Sequence, residues 1–255
     1  MLEELTQDPT LHFQFAEAEP LPTPICSLSE VSFKYPQQQG ADKMFSLQNV
    51  DLAIDLQSRI AVCGANGCGK STLLKLIVGD LEPTQGNISR HNRLRIGYFT
   101  QHHIDTLDLT LTATQSLIDS YPEADLSEEA ARNFLGKFGI TQSLSTEPLF
   151  VLSGGQKSRV AIAHVAFLKP QIMVLDEPSN HLDLDAVQTL IAAITEFSGG
   201  VLIVSHDAHL LQCTCDEVWH VKRGMVEKFK GNIDEFKDVL LKENKRALEE
   251  AARQK

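Results

Sequence analysis

The sequence predicts an α/β fold built around a mainly parallel sheet, and three stretches predict it. Gly64-Ala65-Asn66-Gly67-Cys68-Gly69-Lys70-Ser71 fits G-x-x-x-x-G-K-[ST], with the apolar run Ile60–Cys63 before it and a helical stretch, Thr72 to Val78, after it. Ile172-Met173-Val174-Leu175-Asp176-Glu177 is a second apolar run, ending in two carboxylates. Val201-Leu202-Ile203-Val204 is a third, ending at Ser205-His206-Asp207. Short apolar runs with polar C-terminal ends describe buried parallel strands whose carboxyl edge carries the chemistry.

Each position of the first stretch has a physical task. The glycines let the backbone wrap a polyphosphate with its N–H groups turned inward. Lys70 reaches the β- and γ-phosphates, the Ser71 hydroxyl ligates Mg²⁺, and the following helix presents its positive N-terminal end. A glycine-rich turn with an exposed lysine would need no such strand and helix around it. At the carboxyl edge of the second strand, Asp176 would hold Mg²⁺ through water and Glu177 would polarise an attacking water. His206, just past the third strand, lies on the same edge and is read as a phosphate contact.

Composition bounds the rest. The 255 residues suffice for one large α/β domain or two modest ones. A net charge of −11 excludes a chain that binds nucleic acid through its bulk charge. No apolar run approaches the roughly 18–20 residues that span a bilayer, and no signal peptide opens the chain. Five cysteines, an odd number in a long chain, point to a reducing compartment, and so to the cytoplasm, rather than to a disulfide scaffold. Cys213 and Cys215 have no second pair at metal-ligand spacing and read as helix residues. Cys68 sits in the phosphate loop beside a helix start, where oxidation or alkylation would block nucleotide.

In chain order, 1–24 reads as an acidic, proline-containing linker tail. Cys26 to Tyr35 alternates as a half-buried strand stopped by Pro36; Gln37 to Gly40 is a turn, and Phe45 to Leu56 a second strand region. Tyr35 either stacks an adenine or packs as a rim aromatic. A turn-rich connector over Gly79–Gly86 leads to a short strand and then to the strand Leu94–Phe99. Thr110 to Leu168 is mainly helical, with a helix start at Ser127-Glu128-Glu129. Val187, Leu190, Ile191 and Ile194 mark an amphipathic helix that Gly199-Gly200 ends. Glu217–Val221 and Met225–Phe229 form a hairpin. From Asn232 a helix turns Ile233, Phe236 and Leu240 inward, then becomes the polar run Lys242–Lys255, a solvated helix or a contact arm.

Between the phosphate loop and the acidic strand stands Leu152-Ser153-Gly154-Gly155-Gln156, followed by Lys157-Ser158-Arg159-Val160-Ala161. With these three motifs in this order the chain resembles the ATP-binding cassette superfamily over roughly residues 25–230. Asp176-Glu177-Pro178-Ser179-Asn180-His181-Leu182-Asp183 is similar to the DEPTNHLD stretch of its ABC-F branch, with Ser179 in place of Thr but the hydroxyl kept. Ser153 to Ala161 and Gly231-Asn232-Ile233-Asp234-Glu235-Phe236 are similar to the same branch, and the overall run, including Gly97-Tyr98-Phe99-Thr100-Gln101-His102-His103, resembles its eukaryotic subgroup linked to general amino-acid control of translation.

The resemblance implies a cassette over 25–229 with a mainly parallel sheet, an antiparallel β subdomain and a helical signature subdomain inserted at about 102–168, then a C-terminal helix over 230–255. It implies Mg-ATP held by Tyr35 and by Gly64, Ala65, Asn66, Gly67, Cys68, Gly69, Lys70, Ser71 and Thr72. Ser71, Gln101 and Asp176 would serve the metal, and Glu177, His206, Gln101 and Lys70 the catalysis. Leu152, Ser153, Gly154, Gly155 and Gln156 would close head to tail on nucleotide held by a second cassette, upstream in the same polypeptide or in a second copy. With one loop and one signature, the chain looks like the second cassette of such a protein. It would be a weak ATPase alone, with the ribosome or a translation factor as partner. The detached ATPase subunit of a membrane transporter is the alternative. A chromosome-maintenance ATPase is set aside, because no long heptad run lies between Ser71 and Leu152. A nucleotide-gated scaffold is disfavoured by the intact Glu177.

Overall fold

The computed structural model describes residues 11–35, 46–100 and 106–241. Readings on residues 1–10, 36–45, 101–105 and 242–255, including the turn at Gln37–Gly40 and the role of Gln101, lie outside the described residues. The chain divides into two compact units, one of residues 1–20 and 95–199, the other of 21–94 and 200–255.

In the second of these, β1 (Cys26–Lys34) is flanked antiparallel by β2 (Ser46–Ile54) and β4 (Gln85–Arg90). The expected alternation is visible as Leu28, Val31 and Phe33 buried on one face. Both pairings shift register between Leu28 and Ser32, where Glu30 has φ 51°. Gly86 approaches this bulge so closely that a Cβ would stand 2.4 Å from the Glu30 carbonyl oxygen. A second sheet in the unit runs β7 (Gly200–Val204), β3 (Arg59–Cys63), β8 (Glu217–Lys222), β9 (Met225–Phe229), parallel except for the last pair. Every residue of β7 is buried, as its unbroken apolar run requires. The β8–β9 hairpin turns on Arg223 (φ 52°) and Gly224 (φ 81°), the two positive φ values of a type I′ turn.

Helix α1 (Lys70–Val78) follows β3 and buries Leu73, Leu74, Leu76 and Ile77. Its far end is closed by Gly79, whose N–H bonds the Lys75 carbonyl at 3.0 Å, and by the Arg90 guanidinium, which donates to the carbonyls of Leu76 and Ile77. Helix α7 (Ala208–Thr214) follows β7, and residues 233–241 are helical with Ile233 and Phe236 buried.

The other unit pairs β5 (Ile96–Phe99) with the fully buried β6 (Ile172–Asp176), parallel. The stretch read as mainly helical resolves into α2 (Ala113–Ser120), α3 (Glu128–Gly136), the short α4 (Gln142–Ser145) and α5 (Gly154–Phe167), with α6 (Leu184–Glu196) after β6. Side-chain caps set the starts of most of these: Thr112, Ser127, Ser153 and Asp183 each accept a backbone N–H of the first turn. Helix α5 lies on β5 at Gly97, where a Cβ would be 2.7 Å from Val165.

The N-terminal segment, read as a linker tail, is packed where it is described. Residues 11–20 have no regular secondary structure, but Phe13 is buried and stacks on Phe138 at 5.5 Å. Extended chain of alternating polarity, Leu11-His12-Phe13-Gln14-Phe15, turns its apolar face onto the helices.

Candidate functional site

The loop Gly64–Ser71 is shaped by where a side chain does not fit. At Gly64 a Cβ would lie 2.3 Å from the Val221 carbonyl oxygen and 2.7 Å from Cys68 Sγ, so β8 leaves room only for glycine. Gly67 has open space around it but φ +75°, so the turn itself demands glycine there. Gly69 stands at the N-cap of α1 with φ 111° and has no side chain to cap the helix start. Lys70 Nζ donates to the carbonyls of Gly64 at 2.9 Å and Ala65 at 3.2 Å, which holds the ammonium across the loop. Oriented N–H groups, a helix N-terminus and an ammonium make an anion cradle.

Other predicted residues lie around this loop. The Tyr35 hydroxyl is 3.2 Å from Thr72 Oγ1, its ring meets Phe33 edge-on at 4.8 Å, and it stays 42% exposed. It packs on the rim and still offers ring surface for stacking. Gly64, Lys70, Ser205 and His206 line one cavity of about 240 Å³. His206 follows β7, between two clamps: Ser205 Oγ accepts the Asp207 N–H at 3.0 Å, and Asp207 Oδ1 caps α7 through the N–H groups of His209 and Leu210. Burial pushes the Cys63 thiol up to about 11, against the opposing charge of Lys70, so this thiol stays protonated at neutral pH. The helical run 233–241 adds Ile233, Phe236, Lys237 and Leu240 to the same cavity. Its inward apolar residues were legible from their spacing; Lys237 carried no signal of its own.

In the unit of residues 1–20 and 95–199, Asp176 ends β6 only 5% exposed, and Glu177 follows at 8%. Glu177 adopts φ 54°, a left-handed conformation that a glutamate holds only where its surroundings impose it. Ser153 caps α5 in a capping box: its Oγ accepts the Gln156 N–H at 3.2 Å, and Gln156 Oε1 accepts the Ser153 N–H at 2.9 Å. Gly154 and Gly155 begin the helix against the loop after Glu177. A Cβ on Gly155 would come within 2.9 Å of the His181 carbonyl oxygen, and one on Gly154 within 3.7 Å of the His181 side chain. Ser179 to Asp183 turns tightly through the N–H of Leu182 to the Ser179 carbonyl, and Asp183 then caps α6 at the Ala186 N–H, 2.8 Å away. The signature and the post-glutamate loop are therefore one packed surface. Beside it Phe150 and Val151, just before Leu152, and Leu184, just after Asp183, are 62%, 57% and 75% exposed. Sequence reading had not singled out these three.

The sequence profile of the family described as ABC transporter matches residues 47–180, more than half of the chain and the whole run from phosphate loop to acidic strand. The chain belongs to this family of ATP-binding cassettes. The cassette is 46% identical to Protein GCN20 of Saccharomyces cerevisiae, over 94% of this chain and 31% of that protein. It is 42% identical to ATP-binding cassette sub-family F member 3 of Mus musculus, over 88% of this chain and 30% of that one. The chain thus spans about a third of the length of the curated relatives it matches. Among solved structures it is similar to an ATP-binding cassette in a dimeric, post-hydrolysis state bound to ADP and Pi. The TM-score is 0.67 at 28% identity, covering 81% of this chain and 99% of that chain. The α/β cassette fold with its antiparallel sheet and helices agrees with these likenesses.

Proposed function

We propose that this chain is an ATP-binding and ATP-hydrolysing cassette of an ABC-F protein, the second of two, and that it acts on the ribosome in translational control. One observation carries the composite mechanism: the chain presents, besides a phosphate cradle, a capped and partly exposed signature, Ser153-Gly154-Gly155, framed by exposed apolar residues. The cradle around Lys70 would hold ATP in this cassette, with Tyr35 against the adenine and His206 at the γ-phosphate. The signature would close on the nucleotide of a second cassette.

Mg²⁺ prefers hard oxygen ligands, and in the proposed site the Ser71 hydroxyl at the start of α1, the Asp176 carboxylate at the end of β6 and Gln101 would be of that kind. When bound, the ion neutralises charge that develops on the β- and γ-oxygens. Glu177 orients and polarises the attacking water, and Lys70 and His206 stabilise the equatorial oxygens. Because phosphoryl transfer asks little covalent help, positioning supplies most of the rate, and the second cassette completes that positioning. Ser153 fits this role because its Oγ accepts from Gln156 and retains its own proton to donate.

The translational setting draws support from the likeness to GCN20 and the sub-family F proteins, and implies a cytoplasmic protein whose partner is the ribosome or a translation factor. No described helix is long and apolar enough to cross a membrane. The transporter-subunit alternative would therefore need its membrane part elsewhere; the family's description is what favours it. The test is co-sedimentation of full-length protein carrying Glu177→Gln and the equivalent change in the other cassette. Migration with ribosomes in ATP but not in ADP is expected; free protein in both nucleotides, with recovery in the membrane fraction, would overturn the translational reading.

A further inference from the structure

Residues 11–19 touch the signature helix and α6 at once. At one end, Leu11 Cδ1 and Arg159 Nη1 converge over Gly139: a Cβ there would lie 2.1 Å from the first and 2.9 Å from the second. Gly139 has φ +71°, so it has both the conformation and the bareness this crossing needs. Arg159 belongs to α5, within two turns of Ser153. Its Nε is buried and has no hydrogen-bond partner among the described residues, and Leu11, Gly139 and Arg159 line one cavity together. Further along, the Leu11 carbonyl oxygen lies 3.3 Å from the Thr189 hydroxyl of α6, which also reaches the nearer Asp185 carbonyl at 2.9 Å, and Phe13 stacks on Phe138. Phe15 meets Phe138 at 6.3 Å and Phe197 edge-on at 5.9 Å. The Ala18 N–H donates to Ser198 Oγ at 2.8 Å, and Glu19 pairs with Arg95 at 3.6 Å. Beside the Leu11–Arg159 crossing lies a cavity of about 600 Å³, lined also by Gln156, Asp183 and Asp185. Gln156 is the residue that completes the Ser153 cap.

From this geometry we infer that residues 11–19 form a positioning strap: Leu11, anchored by Phe13 and Phe15, fixes Arg159 and so sets how α5 presents Ser153, Gly154 and Gly155 to the partner cassette. The cavity gives the first turns of α5 room on one side, and the strap limits them on the other. The inference rests on the reading of Ser153–Gly155 as the partner-facing signature.

The experiment uses the full-length protein with both cassettes, comparing Leu11→Ala, Phe15→Ala, Phe15→Leu and the signature variant Gly154→Glu. Turnover is expressed per nucleotide bound, which removes any fraction that has failed to fold, and KM for ATP and thermal stability are measured beside it. A coupling of ordinary size predicts that Leu11→Ala and Phe15→Ala lower kcat by at least about fivefold while KM stays within about twofold, and that Phe15→Leu restores most of the rate. Unchanged kcat per bound nucleotide in Leu11→Ala, with Gly154→Glu inactive, would overturn the strap and leave the signature reading standing. Full turnover in Gly154→Glu would overturn the signature reading, and the strap with it. Leu11 is only partly buried, so its variant decides the matter even where Phe15→Ala does not fold.

Discussion

Helices α1 and α5 both start in runs of small residues, Gly67-Cys68-Gly69 and Ser153-Gly154-Gly155, but their first turns are satisfied in different ways. At α1 the N-cap is a left-handed glycine with no side chain to accept from the exposed N–H groups. At α5 a serine and a glutamine close a capping box, and Gly155 is set by the His181 carbonyl oxygen rather than by positive φ. An uncapped helix start is an anion site within its own chain, whereas a capped one is self-sufficient and has a hydroxyl proton to spare for a visitor. Under the proposed function, α1 would bind nucleotide and α5 would meet the partner cassette.

Four changes break or sharpen that contrast, from the largest expected effect downward. Glu177→Gln keeps the cradle and removes the group that polarises water, so turnover falls by about 10²–10⁴ while ATP binding persists. Lys70→Ala abolishes binding instead, and equilibrium titration with a fluorescent ATP analogue separates the two. Next, Gly64→Ala forces a Cβ onto the Val221 carbonyl oxygen. It is expected to cost about 3 kcal/mol of stability and most of the nucleotide affinity, whereas Gly67→Ala, with open space but positive φ, costs about 1 kcal/mol. Urea denaturation of both variants checks the difference.

The third change concerns the strand that feeds α1. Cys63 is held neutral, its thiol raised from 9.0 to about 11 by burial. The folded form binds this proton more tightly than the unfolded form, so the contribution is present below pH 9 and lost as pH rises from 9 to 11. The loss is of the order of 2 kcal/mol, and it should be absent in Cys63→Ala across the same alkaline denaturation series. The smallest change is Ser153→Ala, which removes the α5 cap for about 1 kcal/mol, leaves ATP affinity at α1 intact and lowers partner-dependent turnover. Ser153→Thr keeps a hydroxyl and should retain both the cap and the rate.

The cradle was legible in the sequence because each of its demands names a residue type: glycine where β8 presses on the loop, lysine and serine where charge and hydroxyl are needed. The buried strands were legible from unbroken apolar runs, and His206 from its place after one of them. Helix starts at Thr112 and Ser153 carry S/T-x-x-Q capping boxes, so the division of 110–168 into separate helices was written there as well. The packing of 11–20 was passed over because the whole stretch 1–24 was read for its prolines and acids. The alternation of Leu11, Phe13 and Phe15 with polar residues was the signal that a face is buried. Gly139, the bare spot on which Leu11 and Arg159 meet, is intelligible only once the chain is folded, because its neighbours come from three distant stretches.

The most direct test of the composite site is the order of ATP turnover in protein. Purified chain is assayed over a concentration series from nanomolar upward, and again with a fixed amount of the proposed second cassette added in trans. The account predicts negligible turnover per molecule at the lowest concentrations, rising with self-association or with the added cassette, while ATP binding is constant throughout. Vigorous turnover per molecule that is independent of concentration and unchanged by the second cassette would contradict it.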